Sequence, residues 1–220
     1  MMKFDVTRTA CTLLAVACLA GGVAGCAPLV LGGAAVGSMM AIDRRTAGTQ
    51  VEDEGIELRA VNRIHGAYGD RMHVNVTSYN RQVLLTGEVS TAEARQAIEQ
   101  IVKSVETVRS VVNELAVMPN TSLGQRSNDS YITGKVRASF VDAKDISASS
   151  FKVVTERNAV YLMGVVTQRE ADRATAIARG VSGVSKVVRM FEYLSEEDLA
   201  RLSSTRGAPV TTDTAPTGGQ

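Results

Sequence analysis

The chain lacks tryptophan altogether and has only four phenylalanines, five tyrosines, two histidines and three cysteines among its 220 residues. With aromatics this scarce, any core must be built from Val, Ile, Leu and Ala. The histidines, His65 and His73, each read as a surface or helix-end residue. No Cys/His cluster has metal spacing, no H-E-x-x-H is present, and no Ser or Asp has a histidine partner in motif context. Gly32-Gly33 and Gly37 lack the preceding strand and the following Lys-Ser/Thr of a phosphate loop. Neither catalysis, a metal nor a cofactor is therefore expected. Charge of one sign is also missing: 24 basic residues face 23 acidic ones. A chain so balanced has no electrostatic footprint for nucleic acid.

The three cysteines, Cys11, Cys18 and Cys26, all fall in the first 26 residues. Lys3 and Arg8 precede the uncharged "TACTLLAVACLAGGVAG", the layout of a secretory signal over residues 1–25. Its strongly apolar part, Ala10 to Ala20, is too short for a spanning helix, which needs about 20 apolar residues. The segment ends in Val23-Ala24-Gly25-Cys26, which resembles the lipobox of bacterial lipoproteins. That resemblance implies acylation of the Cys26 thiol, with diacylglyceryl and palmitate-type chains, and cleavage before it. Ordinary signal cleavage after Ala24 or Gly25 is the alternative, and leaves Cys26 unmodified. With Ala27 rather than Asp next to it, Cys26 resembles the lipoproteins sorted to the outer membrane. Cleavage removes Lys3, Arg8 and Asp5 together with Cys11 and Cys18. The mature chain then has 22 residues of each sign and one cysteine, acylated, so no disulfide and no catalytic thiol. Two or three acyl chains suffice for stable anchoring.

Beyond the signal, two stretches repeat each other, 74–115 and 151–191. Gly87 aligns with Gly164, and Val83-Leu84-Leu85 with Val160-Tyr161-Leu162. Ser90-x-x-Glu93 aligns with Thr167-x-x-Glu170, both read as capping boxes. Short polar breaks at Tyr79-Asn80-Arg81 and Glu156-Arg157-Asn158 separate β-rich runs. The two glycines are read as turn positions between strand and helix. Helices are expected over 91–105 and 168–181, with last strands in "RSVVNELAV" and "SKVVRMFEYL". Upstream, Ile56, Ala60 and Ile64 are matched by Ile132, Val136 and Phe140, the buried stripe of a further helix in each copy. Each unit is αββαβ, an α+β sandwich of two helices on one face of a small three-stranded mixed sheet. The organisation expected is a signal at 1–25, a lipidated apolar linker at 26–50, a first domain at 51–118, a linker at 119–128, a second domain at 129–194, and a short helix capped by Ser195 with a disordered tail at 195–220.

"RRTAGTQVEDEGIELR", "SNDSYITGKVR" and "VYLMGVVTQREA", carried on this repeat behind a lipobox, closely resemble the tandem-BON-domain outer-membrane lipoproteins of Gram-negative bacteria. The resemblance covers residues 22–194. It implies two BON domains, attachment to the outer membrane facing the periplasm, a part in membrane integrity, cell division and envelope stress, and binding of anionic phospholipid by the second domain.

The helix around residues 131–141 is the place for such a contact. Ile132, Val136, Ser139 and Phe140 fall on one side; Tyr131, Gly134, Ala138 and Val141 fall on the other, with Lys135 beside them and Arg137 at the rim. A tyrosine suits the bilayer interface and a lysine an anionic head group. The expected ligand is phosphatidylglycerol or cardiolipin, docked on Tyr131, Gly134, Lys135, Arg137, Ala138 and Val141. The same face could instead pack on the first domain. The second functional class is a periplasmic scaffold, in which an exposed sheet face and edge strands bind division factors or the outer-membrane assembly machinery and the anchor only localises the protein.

Overall fold

The computed structural model describes residues 43–207; the signal, Cys26, the linker as far as residue 42 and the tail beyond residue 207 lie outside the described residues. The first domain consists of α1 (Ala47–Tyr68), β1 (His73–Tyr79), β2 (Gln82–Val89), α2 (Ala92–Lys103), β3 (Ser110–Asn113) and β4 (Ala116–Val117). The second consists of α3 (Leu123–Asp142), β5 (Phe151–Glu156), β6 (Ala159–Val166), α4 (Gln168–Gly180) and β7 (Lys186–Tyr193), followed by α5 (Glu196–Gly207). Both are αββαβ. The central strand pairs antiparallel with its hairpin partner and parallel with the strand returning from the second helix, in the orders β1-β2-β3 and β5-β6-β7. The expected last strand of the first domain breaks in two, and both pieces pair with β2.

Alternation along the central strands sorts the cores. In β2, Val83, Leu85 and Val89 face the helices and join Ile56, Ala60, Ile64 and Ile98. In β6, Val160, Leu162 and Val166 do the same with Ile132, Val136, Phe140 and Ala174. The intervening residues point the other way: Leu84 and Tyr79 of the first sheet meet Tyr161, Met163 and Met190 of the second in a third core. The two sheets therefore pack face to face, and the layers run α-β-β-α. This corrects the expectation of an exposed sheet face, since both inner faces carry large apolar residues that need burial.

Three local expectations also change. Gly87 and Gly164 are not turns but sit inside β2 and β6. A Cβ on Gly87, at φ +110°, would lie 2.0 Å from the His73 carbonyl oxygen, and one on Gly164 would lie 2.5 Å from that of Ser150. Each glycine lets the neighbouring backbone approach closely. The cap of α2 is Thr91, whose hydroxyl accepts from the Ala94 amide, because strand conformation persists to Thr91. Thr167 and Glu170 form the reciprocal box expected of α4. Finally, α3 begins at Leu123 and α1 at Ala47, inside stretches expected as linkers. Ser195 does cap α5, accepting from the Asp198 amide.

The hairpin turns are two residues long. Asn80-Arg81 and Arg157-Asn158 all have positive φ, the type I′ geometry that usually takes glycine. A buried aspartate on each first helix supports them. Asp53 accepts from the amides of Asn80 (2.8 Å) and Arg81 (2.7 Å), the Ser78 hydroxyl and Arg45. Asp129 accepts from the amides of Arg157 and Asn158, both at 2.9 Å. Burial by itself raises the Asp53 carboxyl, but the donors of Ser78, Arg81, Arg45 and Asn80 outweigh it and hold it below the ordinary aspartate value. Glu170 is depressed in the same way, against its burial, by Arg44 and the Thr167 amide. A depressed carboxylate stabilises the fold above its unfolded pKa, and the contribution is lost as pH falls through the folded value. Melting temperature is therefore expected to stay level from pH 7 to about 5 and to drop below about pH 4, where unfolded carboxylates titrate. Thermal melts across pH 2–7 check this. The acid slope should be shallower in Asp53→Asn, and an identical slope in that variant would remove Asp53 as a cause.

Candidate functional site

Helix α3 carries the exposed face on which the sequence placed a membrane contact. Its stripe Ile132, Val136 and Phe140 is buried against the second sheet. On the outer side Tyr131 is 67% exposed and Val141 71%, with Gly134 and Ala138 exposed between them. Spacings of three, four and three residues keep these four on one side of the helix. The first domain does not cover them, because the domains meet through their sheets. Packing of this face on the first domain is thereby ruled out.

The two cations of the proposed face behave differently from a pair of free charges. Lys135 is half-buried; its ammonium donates to the Ser182 carbonyl and hydroxyl and sits 4.8 Å from the centroid of the Tyr131 ring. Arg137 is exposed, with one guanidinium nitrogen 3.4 Å from the Val153 carbonyl. Lys135 thus orients Tyr131 by a cation–π contact while keeping its positive charge at the surface.

The face is longer than expected. Because α3 starts at Leu123, that residue, 78% exposed, lies on the same side as Gly134 and Val141 at 100° per residue. Its cap was visible in the sequence: Ser122-x-x-Gln125 is a capping-box pattern, and the Ser122 hydroxyl does accept from the Gln125 amide. From Leu123 to Val141 this side runs about 27 Å at 1.5 Å per residue, with the exposed Ser127 and Ser130 between Leu123 and Tyr131. Among the described residues no helix is long and apolar enough to cross a membrane.

The seam between the sheets gathers the polar groups that sequence spacing kept apart. Arg157 reaches from the second domain's turn to Glu88 at 2.9 Å and to the Gly87 carbonyl. Lys152 pairs with Glu57 at 2.8 Å, and Arg109 with Glu192 at 2.6 Å. Arg44, just ahead of α1, binds Glu170 of the second domain through two 2.7 Å bonds. His65 remains an exposed residue near the end of α1, as read. His73 does not: it lies in β1, with Nδ1 3.0 Å from the fully buried Glu88 carboxylate. Folding thereby places it beside Glu88 and Glu156, a grouping that no local spacing announced.

The family match agrees with this division into two domains. The BON domain family profile matches residues 53–119 and 128–195. Over 173 residues the chain is 40% identical to the Outer membrane lipoprotein DolP of Haemophilus influenzae, covering 77% of this chain and 89% of that protein. It is 33% identical over 155 residues to the 21 kDa hemolysin of Actinobacillus pleuropneumoniae, covering 70% and 80%. A solved chain of CdsD, a structural protein of the type III secretion system of Chlamydia trachomatis, overlays with a TM-score of 0.28 at 13% identity, covering 70% of this chain and 97% of that one.

Proposed function

This chain belongs to the BON domain family, as an outer-membrane lipoprotein with two such domains, and from that premise we propose that its second domain binds anionic phospholipid through the outer face of α3. In this reading the protein is held at Cys26, faces the periplasm, carries out no catalysis, and supports envelope integrity at sites that include the dividing cell. The observation that supports it is the apolar outer stripe of α3, Leu123, Tyr131, Gly134, Ala138 and Val141, on a helix whose other side is already buried. Apolar surface on both sides of a surface helix is a mark of an interaction face. Tyr131 and Val141 enter the interfacial zone, and Lys135 and Arg137 supply the charge that prefers phosphatidylglycerol or cardiolipin, at about 1 kcal/mol per cation near an anionic surface.

The test uses residues 43–207, without acyl chains, mixed with phosphatidylglycerol or phosphatidylcholine vesicles and followed by amide NMR. Shifts centred on 123–141 with anionic vesicles only are expected, and Tyr131→Glu should weaken binding at least tenfold in a folded protein. Unchanged binding by that variant would remove α3 as the site. No binding at all would favour the second reading, a scaffold localised by its anchor and serving division factors or the assembly machinery. That reading has its own support in Val51, Leu58 and Val61, exposed on α1 in the first domain.

A further inference from the structure

We propose that His73, Glu88 and Glu156 form a binding site for one divalent transition-metal ion at the seam between the two domains. His73 and Glu88 are direct cross-strand partners on β1 and β2. Their side chains share the sheet face turned toward the second domain, because residues opposite one another in an antiparallel pair point the same way. Glu156 closes the group from the end of β5. One ligand atom from each residue lies within 4.8 Å of the other two.

Charge points to a cation. Glu88 is 0% and Glu156 3% exposed. Arg157 pairs with Glu88 at 2.9 Å. Among the described residues, Glu156 has a single hydrogen bond, from the neutral Asn75 amide at 3.0 Å, and no ion pair. Arg157 therefore neutralises Glu88 alone, and among the described residues Glu156 is left without a paired cation. A buried carboxylate without a counter-charge is costly, and a divalent ion held between the two would offset that cost.

The donor set is one imidazole and two carboxylates, which suits Zn²⁺, Mn²⁺ or Fe²⁺ better than soft thiophilic ions. The supporting contacts are already built. Thr121 donates both its amide and its hydroxyl to Glu88 Oε2 at 3.1 Å, and Asn75 steadies Glu156. Such outer contacts orient ligands and raise affinity. Tetrahedral zinc with bonds of about 2.0–2.2 Å sets ligand atoms about 3.5 Å apart, so binding draws Glu156 inward toward the other two ligands. It also replaces the contact between His73 Nδ1 and Glu88. An ion enters through an open cleft of about 250 Å³ lined by His73, Asn75, Glu156, Arg126 and Thr133. Because its ligands come from both domains, the ion would clamp the sheet-to-sheet packing.

The full chain, purified in detergent and stripped with chelator, is titrated with ZnCl₂ by calorimetry and by thermal melting. Saturable uptake of one ion with a rise in melting temperature is expected. His73→Ala and Glu156→Gln should each weaken that uptake at least tenfold, whereas His65→Ala should not. Glu156→Gln keeps the side-chain shape. The imidazole NMR signals of the unmutated protein give a readout free of folding effects: His73 should shift on zinc addition and His65 should not. Absence of saturable uptake, an unshifted His73, or uptake that survives both variants would overturn the site; survival would assign the ion to other ligands.

Discussion

Gly87→Ala is expected to cost the first domain about 4 kcal/mol or more, a size reserved for a few named causes such as backbone strain. The added Cβ would lie 2.0 Å from the His73 carbonyl oxygen and 2.9 Å from its carbon, both backbone atoms. No rotamer change relieves such a clash; β1 would have to move away from β2. The φ of +110° adds strain for any L side chain. Displacing β1 would also disturb Val74 and Val76, which pack on the first core. Gly164→Ala should cost less, about 2 kcal/mol, near the middle of the usual range for single substitutions. Its Cβ would meet the Ser150 carbonyl at 2.5 Å, and its φ lies outside the left-handed region. Urea unfolding of the two variants gives the order directly. If Gly87→Ala unfolds at the wild-type midpoint, the close approach of His73 is not a constraint on the fold.

Asp53→Ala should destabilise the protein by about 3–5 kcal/mol, the usual cost of breaking a buried ion pair from one side. At a few degrees of melting temperature per kcal/mol, that is about 10 °C for a chain of this size. Asp53 is 2% exposed. Its loss strands the Ser78 hydroxyl and the amides of Asn80 and Arg81, and takes from Arg45 the buried half of a pairing it otherwise shares with Asp43. Arg45 also covers the Tyr79 ring at 4.1 Å, so one face of the seam loosens with it. Asp129→Ala removes the matching support of the other turn, but among the described residues no cation pairs with Asp129. Its partners are two amides and Gln125, and about 2 kcal/mol is expected from hydrogen bonds of that kind. Thermal melts of the two variants decide this. Equal losses would mean that the Arg45 pair contributes nothing.

These aspartates show how far the repeat could be read. Asp53 and Asp129 each stand three residues before the first isoleucine of a buried stripe, Ile56 and Ile132. They are therefore aligned copies of a charged residue on an apolar face. Nothing local tells that they accept from hairpin amides some 28 residues later. Likewise Ser122-x-x-Gln125 marks the start of α3 for a reader who looks for it, and with it Leu123 as part of the exposed stripe.

Periodicity and repetition by themselves determined two αββαβ units, the buried stripes Ile56-Ala60-Ile64 and Ile132-Val136-Phe140, the hairpin positions and the outward face of Tyr131, Gly134, Ala138 and Val141. Each follows from interactions within one helix or one hairpin, where the 3.6- and 2-residue periods make a side chain's direction a function of its number. Only the tertiary structure decided that the sheets pack on each other through Tyr79, Leu84, Tyr161, Met163 and Met190. It alone turned Lys135 back toward Ser182 and gathered His73, Glu88 and Glu156. On its inner face β6 carries Tyr161 and Met163, whereas β2 carries Leu84 with the polar Thr86 and Glu88, so the pattern of β2 does not announce that this side is buried, and neither pattern says against what. The partner is set by the shape and charge of two surfaces that meet only after each domain has folded.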